Sequence, residues 1–524
     1  MKNNNKGRLV LILVRNDAMD SVYEEIGICA LAAYMRDRKY DVRLLAEHVD
    51  KLDYEDLKEY GPNLIGFTVY QINKNAVSKC IDKIKNILPD TKVSIGGIYA
   101  TYAGEEFMQE NPNIDFSIKG VGEETLYELT EHVVMGDNIF EEIDGLVFRK
   151  NGEIVQNKPR RINRKLDAYP FIARDFLHSQ PFKVAKILGS RGCTANCSFC
   201  SNQLFYKGWY GRGIKNIIDE MAEIVNVHHI NWIMFDDSSF EDPYNDLRRV
   251  WEFANAVKDS KIKVNYYFNI RADFYKKADP QLMSLLKESG LRAVGLGLES
   301  GNQKDLTLYN KKATIKDNYQ IVRFMKQYGI YIYWGFMNFN PYTNIESLKQ
   351  NLSFIKHIEA PFLFFSKVDL YRGTSLFEKV QKDQYILGQN SCGEYIYRFE
   401  SEQIQMFSNY LFNTYKKLND THDRVFGSLE NSIKIIPLFL LTKDANELSD
   451  MQNMLLNKTN EKYQKLKQKC NMIMFDWLES LLAAISQGAT TSKEFDQITR
   501  KELNIADLKE VANRLNRIMT SLIK

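Results

Sequence analysis

Short apolar runs alternate with amphipathic helical patterns from the start of the chain to about residue 135, and this alternation restricts the fold more than any other feature. Apolar runs bounded by turn residues predict buried strands, while apolar residues recurring every three to four positions predict helices. Strands that alternate with helices form parallel sheets covered on both faces. We therefore predict an α/β fold with a doubly wound, Rossmann-like parallel sheet in residues 1–135, with strands at RLVLILV, DVRLLA, NLIGFTV, KVSIGG and IDFSIKG.

The alternation stops near residue 136 and resumes near residue 184. Residues 136–183 carry a hairpin pattern with a turn at Asn151-Gly152, and we interpret them as a connector. Residues 381–524 lose the strand pattern and are rich in Lys, Leu, Asn and Glu, which predicts a helical C-terminal domain. Residues 184–380 predict a partial (β/α)6 barrel with strands at VAKILGS, INWIMFD, KVNYYFN, RAVGLGL, IYIYWGF and FLFFSKVDL.

Three cysteines, Cys193, Cys197 and Cys200, follow the first predicted strand of the barrel in a CxxxCxxC pattern. The loops that follow the strands of such a barrel meet at its active-site end. A structural zinc site usually takes four protein ligands, commonly in two pairs, and the sequence has no second pair. An iron-sulfur cubane held by only three thiolates keeps one iron open for an exogenous ligand. The spacing favours a 4Fe-4S cluster, with zinc or a chance spacing as the alternatives.

The cysteine count, the net charge and the length of the apolar runs indicate in which class of protein this site occurs. Seven cysteines in 524 residues do not suggest a disulfide framework, and we expect Cys29, Cys80, Cys392 and Cys470 to be ordinary thiols of a cytoplasmic protein. The net charge of +3, from 70 Lys and Arg against 67 Asp and Glu, does not predict a large nucleic-acid surface. No apolar run is long enough for a signal peptide or a membrane span, so we expect neither.

The cysteine loop and its flanking motifs resemble the radical S-adenosylmethionine superfamily. SRGC precedes the loop and YGR follows it, and FDDSSF, FNIRADF, GLGLESGNQ, LYNKKAT and LYRGTSLF come next in order. The segments IGGIYATYAGEEF and SIKGVGEETLYEL are similar to the cobalamin-binding domain of the cobalamin-dependent branch of that superfamily. The resemblance covers residues 1 to about 380. It implies three cofactors, which are a 4Fe-4S cluster, S-adenosylmethionine and cobalamin.

The resemblance also implies which residues lie near S-adenosylmethionine. In this family the cluster binds the amino and carboxylate groups of S-adenosylmethionine and supplies the electron that releases a 5'-deoxyadenosyl radical, while the protein provides positioning and electrostatics. The alternatives are helix capping for the two aspartates, a local ion pair for the arginine and core packing for the phenylalanine. The expected contacts are Phe199 near the adenine, Asp236 and Asp237 near the ammonium, Arg271 near the carboxylate, and Glu299 with Ser300 near the ribose.

The expected cobalamin contacts lie in loops at the C-terminal edge of the first sheet. The loop after the first strand, RNDAMDSVYEE, contains no histidine, so it lacks the DxHxxG segment that supplies a cobalt ligand in mutase-type domains. His48 is expected to be a surface residue, and Glu123 a first-turn acid favoured by the helix dipole. Two glycines in these loops would let backbone approach a bulky ligand, or form a tight turn without one. The candidate contacts are Thr68, Tyr70, Gln71, Gly96, Gly97, Tyr99 and Thr101.

Two barrel loops depart from the family pattern and point to an individual substrate pocket. WGFMNFNPYTN lacks the common Gly-x-Pro step, and YRGTSLF stands where Pro-Gly-Thr-Pro is common. Tyr333, Trp334 and Phe336 are expected to line the pocket, unless they are core residues. We expect residues 381–524 to close over the barrel mouth, because a radical must be kept from water. We also expect a peptide or small-molecule substrate and an external electron donor of the flavodoxin or ferredoxin type, but no membrane and no nucleic acid.

Three functions of different classes fit the sequence. The first is a cobalamin-dependent radical enzyme that methylates an unactivated carbon, or that rearranges or cyclises its substrate without methyl transfer. The second is a methylthiotransferase-like enzyme acting on RNA, but such enzymes carry three further N-terminal cysteines and a basic C-terminal domain, and only Cys29 and Cys80 precede the loop here. The third is a non-catalytic corrinoid- or cluster-binding protein. We favour methylation, because attack of a carbon radical on a methyl group needs no general base.

Overall fold

A computed structural model of the chain describes residues 6–16, 25–137, 139–178, 183–241, 243, 246–360, 363–391, 393–420, 424–442 and 449–523. Cys392 and most of the loop RNDAMDSVYEE lie outside these residues. None of the helices in the described segments has both the length and the apolarity that crossing a bilayer requires.

The N-terminal part is a sheet with helices packed on both faces. Leu11 packs into the core on one face of the first strand and Ile12 into the core on the other face, which explains the continuous apolar run. The helices are α1 (Ile26–Asp37), α2 (Tyr54–Tyr60), α3 (Lys74–Ile87), α4 (Ile98–Glu110) and α5 (Glu123–Met135). The strands are β1 (Arg8–Arg15), β2 (Asp41–His48), β3 (Leu64–Thr68), β4 (Lys92–Gly96), β5 (Phe116–Ile118), β6 (Leu146–Lys150) and β7 (Glu153–Gln156).

The strand order of this seven-stranded sheet is β2-β1-β3-β4-β5-β6-β7. Strands β1 to β5 are parallel, which confirms the predicted doubly wound sheet. The hairpin β6-β7 is antiparallel, and β6 pairs with β5 through partners such as Ser117 and Val147. The hairpin predicted within the connector therefore extends the edge of the first sheet.

The central part is a barrel-like half-ring of parallel strands with helices outside. Its five-stranded sheet consists of β8 (Ala185–Ile187), β11 (Trp232–Phe235), β12 (Asn265–Ile270), β13 (Leu291–Glu299) and β14 (Tyr331–Phe336), and a two-stranded ribbon pairs β9 (Ser190–Arg191) with β10 (Tyr210–Gly211). The sheet order is β14-β13-β12-β11-β8. The helices are α6 (Asn202–Tyr206), α7 (Ile214–Asn226), α8 (Arg248–Ser260), α9 (Pro280–Ser289), α10 (Gln303–Leu308), α11 (Ile315–Gln327), α12 (Ile345–His357) and α13 (Ser375–Lys382).

The sixth predicted strand, FLFFSKVDL, is reduced in the structure. Within its described residues it forms a short 3-10 turn at Leu363–Phe365 and a single bridge between Phe339 and Lys367. The ring of Phe365 lies 4.7 Å from that of Tyr415 and 6.4 Å from that of Trp477, both in C-terminal helices. Five of the six predicted strands are formed in the described residues. The sixth segment is limited to a short pairing just beyond β14, where the Phe339 amide donates to the Ser366 carbonyl and the Val368 amide to the Phe339 carbonyl.

The C-terminal part begins with a hairpin and continues as helices. The hairpin pairs β15 (Ile386–Gln389) with β16 (Tyr395–Tyr397), and it was not predicted from the sequence. The helical C-terminal region is confirmed. It contains α14 (Glu402–Asp420), α15 (Val425–Thr442), α16 (Asp450–Ser486), α17 (Ser492–Glu502) and α18 (Ile505–Ile523).

Helix α15 covers the end of the barrel at which the strands begin. Leu441 packs with Val184, Trp232 and Tyr333, which lie at or near the N-terminal halves of their strands. The Tyr331 hydroxyl donates to the Ile433 carbonyl at 3.4 Å. The expectation that the C-terminal helices close over the barrel mouth is therefore wrong for α15, because its apolar side chains fill the opposite end of the barrel.

Candidate site for two cofactors

The three cysteines lie in the loop between β9 and α6, after the first strand of the barrel. Cys193, Cys197 and Cys200 have side chains of intermediate exposure. The side-chain amide of Gln203 donates to the Cys193 carbonyl at 2.6 Å and thereby ties the start of α6 to the start of the loop. Among the described residues, no three His, Cys, Asp or Glu side chains converge on one ion. A cubane cluster binds each thiolate to a different iron, and the three thiols of this loop are the kind of donor that such a cluster takes.

Backbone hydrogen bonds fix the middle of the loop against the barrel. The Ser198 amide donates to the Tyr309 carbonyl at 2.9 Å, and the Ser198 carbonyl accepts from the Leu376 amide at 2.8 Å. The Ser198 hydroxyl donates to the Leu308 carbonyl at 2.7 Å. Phe199 contacts Tyr309 edge to face, with ring centroids 5.4 Å apart. The motifs LYNKKAT and LYRGTSLF therefore support the loop from two sides.

The turn before the first cysteine accepts only glycine. Gly192 has φ +81, and a Cβ atom built on it would lie 1.8 Å from the Gly208 carbonyl oxygen. A side chain there would collide with backbone and would adopt a left-handed conformation that L-residues disfavour. The glycine of SRGC thus fixes the path of the backbone into Cys193.

Asp237 holds the segment that leads into the loop. It is fully buried, and its carboxylate accepts from the Gly189 amide at 2.8 Å and from the Ser190 hydroxyl at 2.5 Å. Arg249 donates to the Gly189 carbonyl at 2.8 Å on the other side. Burial raises the pKa of Asp237 to about 6, although the Ser190 hydroxyl and Arg249 oppose the shift. Asp237, which was predicted near the ammonium of S-adenosylmethionine, faces the backbone before the cysteines instead.

Asp236, its neighbour, points the other way. Its side chain is 46% exposed and lies 3.5 Å from the Lys186 ammonium. Asp236 and Lys186 line a cavity between the two α/β parts. The predicted aspartate pair is therefore divided between two roles, because successive residues at a strand end face opposite sides.

Arg271 connects the third barrel strand to the cysteine loop. One guanidinium nitrogen donates to the Thr194 hydroxyl at 3.3 Å and to the Ser239 hydroxyl at 3.1 Å. The Arg271 Nε also lies 3.4 Å from the fully buried carboxylate of Glu241 and 3.7 Å from that of Asp273. The alternative of a local pair with Asp273 is thus present, but within a larger network that reaches the loop.

Glu299 and Lys311 form a partly buried ion pair beside the cysteines. Their charged atoms are 3.2 Å apart, with side-chain exposures of 12% and 14%. Burial would lower the pKa of Lys311, but Glu299 and the Cys197 thiol outweigh burial and hold that pKa above its ordinary value. A Cβ atom on Gly297 would lie 2.4 Å from the Glu299 carboxylate, so the glycine leaves the space that this side chain occupies.

Ser300 is buried in a polar network and does not reach an open surface. Its hydroxyl contacts Asp305 and Asn351, each at 2.8 Å, and accepts from the Asn302 amide at 3.0 Å. The hydrogen bonds of Ser300 organise the turn after β13, and its role as a ribose contact stays a prediction. Glu299 remains a candidate contact.

A cavity of about 410 Å³ lies between the N-terminal sheet and the barrel. Of the predicted cobalamin contacts, Thr68, Tyr70, Gly96 and Gly97 line it. A Cβ atom on Gly120 would meet nothing within 4 Å, so this wall leaves room for backbone to approach a broad, flat ligand. The residues present fit a corrinoid in this respect. Six glycines contribute to the lining, namely Gly27, Gly66, Gly96, Gly97, Gly120 and Gly122.

Two predicted contacts, Gln71 and Tyr99, face away from this cavity. The Gln71 side chain donates to the Leu370 carbonyl at 3.3 Å and accepts from the Tyr102 hydroxyl at 3.0 Å. The Tyr99 hydroxyl accepts from the Lys74 ammonium at 3.4 Å. The Gln71 contact with Leu370 reaches the barrel, whereas the Tyr99 contact stays within the N-terminal part. Neither residue lines the main cavity, and their role as corrinoid contacts stays a prediction.

Thr101 also lies off the main cavity. Its hydroxyl donates to the Gly97 carbonyl at 2.8 Å and accepts from the Gly120 amide at 3.0 Å. It lines an adjoining cavity of about 230 Å³ bounded by the connector. Thr101 thus braces two of the glycine turns of the main cavity from behind.

The barrel supplies the opposite wall of the main cavity. Arg191, Cys200, Asn202 and Tyr206 line it, in the cysteine loop and its flanking elements. Cys200 therefore belongs both to the predicted cluster site and to the wall of the predicted corrinoid site. A cofactor bound in the cavity and a cluster bound to the loop would be neighbours.

The predicted substrate residues line a third cavity. Tyr333, Trp334 and Phe336 border a space of about 380 Å³ between β14 and the C-terminal helices, with Tyr415 and Ile433 on the far side. The ring of Tyr333 also lies 5.2 Å from that of Tyr267 within the barrel. This cavity opens along the free edge of β14, and the C-terminal helices form one of its walls.

Sequence reasoning did not single out two charged residues of the site. Arg191 occurs in SRGC and Lys311 in LYNKKAT, so both lie within motifs that had been noted. The signal that could have found them is their position beside the cysteines and the glycine loops, which depends on contacts between distant segments.

Comparison with known families matches two successive parts of the chain. Residues 12–130 match the B12 binding domain, and residues 187–355 match the radical SAM superfamily. An uncharacterized methyltransferase of Pyrococcus horikoshii is 25% identical over 375 residues, which cover 70% of this chain and 80% of the relative. The anaerobic magnesium-protoporphyrin IX monomethyl ester cyclase of Cereibacter sphaeroides is 26% identical over 289 residues, covering 53% of this chain and only 46% of the cyclase.

Two solved structures share the fold. The cobalamin-dependent S-adenosylmethionine radical enzyme OxsB, with aqua-cobalamin and S-adenosylmethionine bound, superimposes with a TM-score of 0.73 at 16% identity, covering 99% of this chain and 83% of OxsB. The radical S-adenosylmethionine methyltransferase TsrM from Kitasatospora setae, with cobalamin and a [4Fe-4S] cluster bound, gives a TM-score of 0.61 at 17% identity, covering 74% of this chain and 76% of TsrM.

Proposed function

This chain belongs to the cobalamin-dependent radical S-adenosylmethionine enzymes, and from that premise we propose that it methylates an unactivated carbon of a peptide or small biosynthetic intermediate. The observation that carries the proposal is the wall shared by the two sites, because Cys200 belongs to the cysteine loop and also lines the interdomain cavity. When bound, a methyl-carrying corrinoid supplies the methyl group, and the cluster with S-adenosylmethionine supplies the hydrogen-abstracting radical.

The side chains of this chain would bind, orient and exclude water. Asp237 and Arg249 fix the backbone before the cysteines, and Arg271 ties the loop to β12. Lys311 and Glu299 place a partly buried pair of charges beside the thiols, where S-adenosylmethionine would offer its own charged groups. Such groups act through positioning and electrostatics, and none of them has to remove a proton from the substrate.

The cavity along β14 is large enough for a small substrate, or for a single residue of a peptide inserted into it. Its volume of about 380 Å³ lies in the range of small-molecule sites. Its lining is mainly aromatic, with Tyr333, Trp334 and Phe336 from the barrel. The C-terminal helices would thus contribute to substrate binding from the side of the barrel. An external flavodoxin- or ferredoxin-type protein would supply electrons.

Cyclisation or rearrangement without methyl transfer is the second candidate function. The relative from Cereibacter sphaeroides is named a cyclase, and the Pyrococcus relative a methyltransferase, so both outcomes occur among similar chains. The RNA-modifying alternative has less support, because the C-terminal part consists mainly of helices α14 to α18, whereas that alternative implies a basic C-terminal domain of another kind.

Methyl-labelled S-adenosylmethionine distinguishes the two functions. The reconstituted protein with cobalamin, a reductant and candidate substrates is expected to move the label into product, with S-adenosylhomocysteine and 5'-deoxyadenosine both formed. Mass spectrometry of the product and chromatography of the two nucleosides measure this. Complete conversion to a product with an unchanged number of carbon atoms, with 5'-deoxyadenosine but no S-adenosylhomocysteine, would replace methylation by rearrangement.

A further inference from the structure

A buried ion pair joins the N-terminal domain directly to the cysteine loop. Glu123, the first residue of α5, pairs with Arg191 of β9, which lies two residues before Cys193. The side chains are only 6% and 10% exposed. Glu123 lies in the first turn of α5 as the sequence predicted, and the structure also buries it against Arg191 of the barrel part.

Tyrosine side chains surround one side of the ion pair and shield it from water. The Arg191 guanidinium lies 5.6 Å from the centroid of the Tyr169 ring, in the connector. Burial would lower the pKa of the guanidinium, but Glu123 and the nearby Tyr206 and Tyr210 hold that pKa above its ordinary value. A pair of opposite charges in such surroundings is little screened by salt, so displacing one partner strongly affects the other.

Each partner is attached to a rigid part of a different cofactor site. Glu123 directly follows the turn Gly120–Gly122, which lines the 410 Å³ cavity. Arg191 is followed by Gly192, whose backbone fits tightly against Gly208, and then by the first cysteine. Both members of the pair also line the cavity themselves. Only a few covalent bonds and one ion pair therefore separate the glycine turn from Cys193.

We propose that the Glu123–Arg191 pair couples corrinoid binding to the state of the cysteine loop, so that each cofactor site strengthens binding at the other. A bound cluster would hold the cysteine end of the loop and with it Arg191, and Arg191 would in turn hold the glycine turn that lines the corrinoid cavity. Both residues are positioning residues. The proposal needs the two cofactors, but it does not depend on whether the reaction is methyl transfer.

Coupling between two sites is measured as a ratio of affinities. Hydroxocobalamin is titrated into the full-length protein and followed by absorbance, once with the cluster loaded and once with the cluster-free wild-type protein. We expect the cluster-loaded protein to bind hydroxocobalamin about tenfold more tightly. By reciprocity, bound hydroxocobalamin is expected to raise the affinity for the cluster, measured as the fraction of iron that the protein retains at equilibrium with a chelator.

The double variant Glu123→Met, Arg191→Met tests whether the pair transmits the coupling. It removes both charges together, so it leaves no unpaired charge in the interior. The affinity ratio is expected to fall to about twofold or less, and hydroxocobalamin should no longer raise the fraction of iron retained. If this variant does not fold, the double variant Glu123→Gln, Arg191→Gln, which also leaves no unpaired charge, takes its place with the same expectation.

Glu128→Gln is the matched control. Glu128 lies on the same helix and also pairs with an arginine, Arg160 of the connector, but that pair does not reach the cysteine loop. The control is expected to keep the tenfold ratio. Equal affinities of the loaded and cluster-free wild-type protein, or an unchanged ratio in the double variant, would overturn the proposal. Failure of every form to bind hydroxocobalamin would instead contradict the cofactor assignment on which it rests.

Discussion

Lys311 carries the positive charge that pairs with Glu299 beside the cysteine loop. Its ammonium group interacts with Glu299 and with the thiols of Cys193 and Cys197, and it is largely buried. A cluster on three thiolates adds negative charge to this region, so a fixed cation there stabilises the loaded state. At the scale of single residues, the site is thus built from a few charges held by strand ends.

Replacing Lys311 by Met is expected to weaken binding of S-adenosylmethionine at least about tenfold, which corresponds to ~1.4 kcal/mol. The reason is that Glu299 would be left without its partner in a partly buried position. Calorimetric titration of the reconstituted protein measures the affinity, and iron analysis shows whether the cluster is retained. Lys312→Met is the control, because Lys312 is exposed. An equal loss in both variants would remove Lys311 from the site.

The hairpin β15-β16 is the element that joins the C-terminal part to the N-terminal sheet. The Lys74 ammonium donates to the Gln389 side chain at 2.7 Å, and the Asn75 side chain donates to the Ser391 carbonyl at 2.5 Å. Gly393 lies so close that a Cβ atom on it would be 2.5 Å from the Gln71 carbonyl oxygen. The interdomain cavity is therefore held closed partly by an element that lies far from it in sequence.

Gly393→Ala is expected to destabilise the protein by about 1–3 kcal/mol more than Gly388→Ala. Both glycines have a positive φ, of +92 and +140, so both variants carry backbone strain. Only Gly393 abuts the N-terminal domain, since a Cβ atom on Gly388 would meet nothing within 4 Å. Chemical unfolding of both variants measures the difference. Equal losses of stability would mean that the hairpin does not hold the two parts together.

At the scale of the whole molecule, the two α/β parts form one binding site between them. The main cavity has glycine turns of the first sheet on one wall and Arg191, Cys200 and Tyr206 on the other. A ligand that fills it contacts both parts and binds only the folded, docked arrangement. Ligand binding should therefore stabilise the two parts together.

Hydroxocobalamin at about one hundred times its dissociation constant is expected to stabilise the fold by about 2.7 kcal/mol. Hydrogen exchange followed by mass spectrometry should show slower exchange in peptides from β3 and β4 and also in peptides around α6. Peptides from α17 and α18 are the internal control and should not change. Protection confined to the N-terminal sheet would contradict a site shared between the two parts.

The sequence by itself predicted the order of most elements and, through the family motifs, the 4Fe-4S cofactor. A strand buried on both faces needs a continuous apolar run, so RLVLILV already specified a doubly wound sheet. The spacing of Cys193, Cys197 and Cys200 is a property of one short loop, and the family motifs follow it in order. Thr68, Tyr70, Gly96 and Gly97 line one cavity because parallel strands end at one edge of their sheet, and their contact with a corrinoid stays a prediction.

Only the tertiary structure decided which of the neighbouring side chains face a cofactor site. Asp236 and Asp237 are adjacent in sequence, yet one lines the cavity and the other is buried against Gly189. Contacts between segments far apart in sequence, such as Glu123 with Arg191, leave no local pattern. The ring contacts of Phe365 in the sixth barrel segment with Tyr415 and Trp477 of the C-terminal helices likewise leave no local pattern. Periodicity records which residues are buried, but it does not record what they are buried against.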